Sequence, residues 1–120
     1  MKARKILAVS SLACAFAVAG CRTSPYVQTT ITNATGDNLQ QIQVDYPSAS
    51  FGKDKLPNGA AYPYRFKVQG SGAPHIEFTD SSGKTHKADG PALAEGESGT
   101  LGIRIEPAYQ VTWQPQLHQQ

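Results

Sequence analysis

The sequence predicts an all-β protein: one small antiparallel β-sandwich of about seven strands, preceded by a leader of a different character. Three observations predict it. Apolar residues alternate at period two in short runs, as in Tyr62, Tyr64, Phe66 and Val68, or Leu101, Ile103 and Ile105. The 11 glycines and 8 prolines of the 120 residues fall mainly between those runs, where they punctuate turns. No segment after residue 20 repeats its apolar residues at the 3.6-residue period of a helix. Strands with one apolar and one polar face hide the first by packing two sheets together.

The leader comes first. Lys2, Arg4 and Lys5 precede ILAVSSLACAFAVAG, fifteen residues without a charge. A basic start before an apolar run of this length has the layout of a secretory signal peptide. A membrane-spanning helix needs about 20 apolar residues; this run is shorter and carries Ser10, Ser11 and Gly20.

The run ends in Val18-Ala19-Gly20-Cys21, which resembles the lipobox of bacterial lipoproteins: an aliphatic residue, two small residues and a cysteine. The resemblance covers the first 21 residues, and every lipobox position matches. It implies that residues 1–20 are a cleaved lipoprotein signal peptide. It also implies that Cys21 is the lipid attachment site, its thiol joined to diacylglycerol, with residues 21–25 a tether. A thiolate is a strong nucleophile, which suits alkylation at a membrane surface. Cys14, the other cysteine, would leave with the leader, so the mature chain would have no internal disulfide. In such lipoproteins an aspartate after the cysteine tends to retain the protein in the inner membrane. Arg22 stands there instead, which implies an outer membrane location facing the periplasm in a host with two membranes.

Composition narrows the rest. Three of the eleven Lys and Arg lie in the leader, so eight basic side chains face nine acidic ones and the mature chain carries a net charge of −1. That gives no electrostatic ground for nucleic acid binding. About 100 residues suffice for one domain.

The strands follow in order. In YVQTTITN, Val27, Thr29 and Ile31 share one face. ATGDN, residues 34–38, is a turn. In LQQIQVDY, Ile42, Val44 and Tyr46 share a face, while Leu39 is out of phase and predicts a bulge or a late start to the strand. These two segments are expected to pair as an antiparallel hairpin. Residues 47–61 read as a long connection, with Phe51 either folded over the core or exposed as an anchor for a partner. Pro63 marks its strand as an edge, because it lacks an N–H. HIEFTD places Ile76 and Phe78 inward and His75, Glu77 and Thr79 outward. Ser81-Ser82-Gly83 turns into a weak strand over 84–87. In the turn-rich stretch that follows, Ala92 and Leu93 read as plugs. LGIRIE and YQVTW complete the set, with Tyr109, Val111 and Trp113 on one face. The domain is thus expected to span 26–114, with 115–120 a flexible tail. The layout is similar to immunoglobulin-like or transthyretin-like sandwiches. The Cys…Trp…Cys pattern of true immunoglobulin domains is missing, and the domain is not assigned to a known family.

Chemistry-bearing candidates are few. His75 and Glu77, two apart on a strand, point the same way, and His86 could approach across the next hairpin. Three such ligands are arithmetically enough for a zinc site; the plainer reading is three solvated side chains on a wet face. Glu95 and Glu97 lie in a loop of a domain too small for a deep cleft, and no G-x-S-x-G elbow is present. The stripe Tyr62, Tyr64, Phe66 reads as core, and Arg65 and Lys67 as a solubilising face. No catalytic, cofactor or metal residue is therefore assigned. The expected function is a membrane-anchored envelope lipoprotein presenting a non-catalytic sandwich as an interaction, adaptor or structural module to an envelope protein partner. The alternatives are a metal-dependent or hydrolytic envelope enzyme using His75, Glu77 and His86, and a periplasmic protein binding a ligand in the sandwich interior.

Overall fold

The computed structural model describes residues 25–119. Residues 1–24, which include the expected leader, Cys21 and the start of the expected tether, lie outside the described residues, as does Gln120. Eight strands follow one another: β1 (Val27–Asn33), β2 (Leu39–Asp45), β3 (Ser50–Leu56), β4 (Ala61–Phe66), β5 (His75–Thr79), β6 (Thr85–Asp89), β7 (Glu97–Ile105) and β8 (Val111–Gln119). A 3₁₀ turn, Pro107–Tyr109, links the last two. Sheet I has the order β4-β1-β7-β8 and sheet II the order β3-β2-β5-β6. Among the described residues no helix is long and apolar enough to cross a membrane.

Period-two patterning holds wherever a strand has one covered face. β1 buries Val27, Thr29, Ile31 and Asn33, β2 buries Ile42 and Val44, β5 buries Ile76 and Phe78, and β7 buries Leu101, Ile103 and Ile105. These meet Tyr46, Leu56, Phe66, Val68 and Leu93 between the sheets. Each such aliphatic side chain contributes about 1.5–3 kcal/mol by leaving water. Leu93 is a plug as expected, whereas Ala92 is exposed. Of the two readings of Leu39, the bulge holds: β2 already begins at Leu39, the β2–β5 register shifts between Gln40 and Gln43, and Gln41 takes φ 52. Pro63 lies on β4, an edge of sheet I.

Four expectations need correction. β1 and β2 do not pair. β1 lies antiparallel to β4 and parallel to β7, so the sandwich contains one parallel pair. The turn at 34–38 instead carries the chain from one sheet to the other. Buried Asn33 pins that crossing: its Nδ2 donates to the carbonyls of Asp37 and Leu56, both at 2.8 Å, and its Oδ1 accepts from Thr35. Pairing of the first strand with the second marks immunoglobulin domains; here the two belong to different sheets.

The stretch read as a connection over 47–61 contains a strand, β3. It is an edge strand wet on both faces over most of its length, so it offers no alternation to read. Lys53, Asp54 and Lys55 blunt that edge against further pairing. Of the two readings of Phe51, the packed one holds: it is half-buried on β3 against the core, with its ring stacked on Tyr64 at 4.4 Å. Finally, residues 115–119 are not a tail. β8 stays in register with β7 to the end, Leu101 opposite Pro115 and Glu97 opposite Gln119, so the domain runs past residue 114; with β3 added, eight strands replace the expected seven.

The registers sort every connection to one of two ends. Residues 34–38, 57–60, 80–84 and 106–110 gather at what we call the turn end. Residues 46–49, 67–74 and 90–96 gather at the other, beside the start of β1 and the end of β8. Backbone bonds hold each group, such as Gly59 N to Asn33 O at 2.8 Å and Gly72 N to Leu93 O at 3.0 Å.

Candidate functional site

The residues singled out for metal or acid–base chemistry do not come together. His75 and Glu77 lie on the outer face of sheet II, where His75 Nδ1 is 2.6 Å from Asp89 Oδ1 and Glu77 is 3.6 Å from Lys87. His86 stands opposite Phe78 in the β5–β6 register, so it points to the inner side. A parity difference of one along a strand reverses the face. Among the described residues no group of three His, Cys, Asp or Glu is placed to hold a metal ion. Glu95 and Glu97 tie loops instead, accepting from Gly70 N at 2.8 Å and Ala94 N at 2.5 Å. Cys21 lies outside the described residues.

The densest polar network is at the turn end. DSSG folds locally because the Asp80 carboxylate accepts from the backbone of Ser82 and Lys84, at 2.9 and 3.1 Å, while Gly83 takes φ 90. That carboxylate also lies 2.8 Å from His86 Nε2, a distance at which the ring N–H donates to it. The imidazole is sandwiched between Phe78 at 5.2 Å and Tyr109 at 4.4 Å. Next to it, Asp37 Oδ2 accepts from Ser81 Oγ at 2.7 Å and Tyr109 Oη at 3.1 Å. A shallow groove of about 380 Å³ opens beside this network, lined by Asn38, Leu39, Gln40, Lys55, Pro57 and Ser81.

These contacts move the titrations. The His86 hydrogen bond, then that of Ser82, holds the Asp80 carboxyl well below the usual carboxylate range. Ser81, then Tyr109, does the same for Asp37. Accepting proximity of Asp37 pushes the Tyr109 phenol up. Chemically, the network fixes charge rather than activating a nucleophile, because the Ser81 and Ser82 hydroxyls donate to carboxylates and not to His86. Sequence reading missed this cluster. Asp37 read only as part of a turn, Asp80 as the end of the segment HIEFTD and Tyr109 as a strand residue; nothing local says that the turns beside them share an end.

No family model matches the chain, and no curated protein matches it. Among solved structures, it is similar to an NMR structure of a protein from Eubacterium rectale, with a TM-score of 0.55 and 13% identity over 76% of this chain and 88% of that one. At that identity the likeness is one of fold.

Proposed function

We propose that this protein is a cell-envelope lipoprotein, anchored through Cys21, that presents a small non-catalytic β-sandwich as an interaction or adaptor module to an envelope protein partner. The observation that carries the reading is Val18-Ala19-Gly20-Cys21 at the end of a charge-free run. Strand direction is consistent with it. β1 starts six residues after Cys21, a tether of at most about 20 Å. The seven residues of β1 set the turn end about 23 Å from the end at which the chain enters the sandwich. The outer faces and the turn end would be left open to a partner. Two or three acyl chains hold a protein on a bilayer stably, whereas one binds marginally. Arg22 in place of an aspartate favours the outer membrane, facing the periplasm, in a host with two membranes.

The test is the intact mass of the protein extracted from its native envelope, beside Cys21→Ala. A chain starting at Cys21 with the added mass of acyl groups is expected. A chain cut elsewhere, without lipid, would overturn the anchored reading.

A further inference from the structure

The two outer faces differ in kind. On sheet II the register brings Asp45, His75 and Asp89 into one row, and Gln43, Glu77 and Lys87 into the next. Sheet I is different. Gln28 lies between Arg65 and Thr100, with Gln116 beyond; Thr30 lies between Pro63 and Gly102, with Gln114 beyond; Thr32 lies between Ala61 and Arg104, with Thr112 beyond. Only Arg65 and Arg104 carry charge in these rows, and Arg104 is bound to Glu106 at 3.0 Å.

The middle of that face dips. A shallow hollow of about 580 Å³ is lined by Gln28, Thr30, Thr100, Gly102, Gln114 and Gln116, with Leu101. Its floor is Gly102, where a Cβ would stand 3.0 Å from Gln114 Oε1. At the end beside the tether, the Arg65 guanidinium lies 4.6 Å from the centroid of the Tyr26 ring.

We propose that the outer face of sheet I binds a neutral polyhydroxylated chain, a polysaccharide strand, laid across the hollow over Gly102. Each glutamine amide offers both donors and an acceptor, and each threonine hydroxyl offers both roles. Sugar hydroxyls, each both donor and acceptor, are matched by that mixed set. An anionic ligand would find Arg65 as its main countercharge, and a cation would find none in the hollow. The fully buried core of a protein interface is more apolar than its rim; these rows offer only Ala61 and Pro63 toward one, which leaves the turn end and the outer face of sheet II as the better surfaces for a protein partner. The inference goes beyond the lipoprotein reading and does not depend on the state of Cys21.

The test uses the full chain in a sugar-free detergent, titrated with cellohexaose, maltohexaose and the hexamer of N-acetylglucosamine, and with hexagalacturonate as an anionic control. Side-chain amide signals of Gln28, Gln114 and Gln116 are read by NMR. Saturable shifts with at least one neutral hexasaccharide are expected. The double variant Gln28→Glu/Gln116→Glu, at exposed positions, should weaken that affinity about tenfold or more with an unchanged melting temperature, and Glu77→Gln on the opposite face should leave it unchanged. The proposal is overturned if no neutral hexasaccharide shifts these amides at millimolar concentration. It is equally overturned if hexagalacturonate binds as well, if the double variant binds normally, or if this face proves to be a self-association surface. The mass measurement on Cys21 is independent of every one of these outcomes.

Discussion

Tyr109 donates its hydroxyl to Asp37 Oδ2 across 3.1 Å, although the two residues are 72 positions apart. The bond ties the β7–β8 turn of sheet I to the crossing between the sheets. Its backbone is strained: Ala108 and Tyr109 take φ of 66 and 61. Left-handed conformations cost a residue with a side chain about 1–2 kcal/mol. The stacking of Tyr109 on His86 and its bond to Asp37 offset that cost.

Ala108 is exposed and makes no such contacts worth preserving. Ala108→Gly should therefore stabilise the fold by about 0.5–1 kcal/mol, the left-handed relief less the extra chain entropy of glycine. Tyr109→Phe keeps the ring and loses the hydroxyl, so it should lower the melting temperature less than Tyr109→Ala does. A melt of Tyr109→Ala that matched the wild type would show that the turn is held by something else.

Acid should loosen the turn end. Asp37 and Asp80 hold protons less readily in the folded protein than in the unfolded chain. Below the ordinary carboxylate range, about pH 4, the unfolded chain therefore takes up more protons, and stability falls as pH falls. Above that range the contribution is fully present. Thermal melts between neutral pH and acid should show this slope, and Asp80→Asn should flatten it. An unchanged slope in that variant would remove Asp80 from the account.

Gly99 and Gly36 separate space from conformation. Both take positive φ, 134 and 88. At Gly36 a Cβ meets nothing within 4 Å, whereas at Gly99 it would lie 2.2 Å from the carbonyl oxygen of Gln116. Gly36→Ala should cost about 1 kcal/mol, from backbone strain alone. Gly99→Ala must push β8 away and should cost on the order of 3 kcal/mol or more. Fluorescence of Trp113, the chain's single tryptophan, reports both, since it sits on β8. Equal losses would contradict the close approach of Gln116.

Truncation after Gln114 distinguishes a tail from a strand. Residues 115–119 pair with Glu97–Leu101, and Leu117 packs half-buried against the core. Removing them should lower the melting temperature by several degrees and leave half of β7 as an open edge prone to self-association. A true tail could be cut without effect.

Ile103 tests the core, where it is 1% exposed. Ile103→Ala should cost about 2–5 kcal/mol, a large part of the 5–15 kcal/mol that typically stabilises a domain. Denaturant titration gives the value; a loss below about 1 kcal/mol would mean that the sheets close over the cavity.

Some of this was legible in the residues and some was not, and strands divide cleanly. Where a strand has one wet and one dry face, its residues state the fact themselves. Val27, Thr29 and Ile31, and Leu101, Ile103 and Ile105, alternate because successive side chains leave opposite sides of the backbone. The bulge after Leu39 was readable for the same reason, as a break in phase. β3 and the end of β8 were not readable. They stay wet on most of their side chains, so burial imprints no period on SFGKDKL or QPQLHQ.

By itself, then, the sequence determined the all-β class, the inward residues of the central strands, the lipobox-like pattern ending at Cys21 and the near balance of basic and acidic residues after residue 20. Each of these is local, or a sum over residues. The tertiary structure decided partners and sides. Period two says which face of β1 is buried but not that β7 lies beside it in parallel, 70 residues later, or that β2 belongs to the other sheet. It could not say that the β5–β6 register sets His86 against Phe78 and away from His75, because one residue of slip reverses every face. Nor could it say that the turns carrying Asp37, Asp80 and Tyr109 share one end. Those outcomes depend on long-range pairing, which is settled only when both sheets close over a common core.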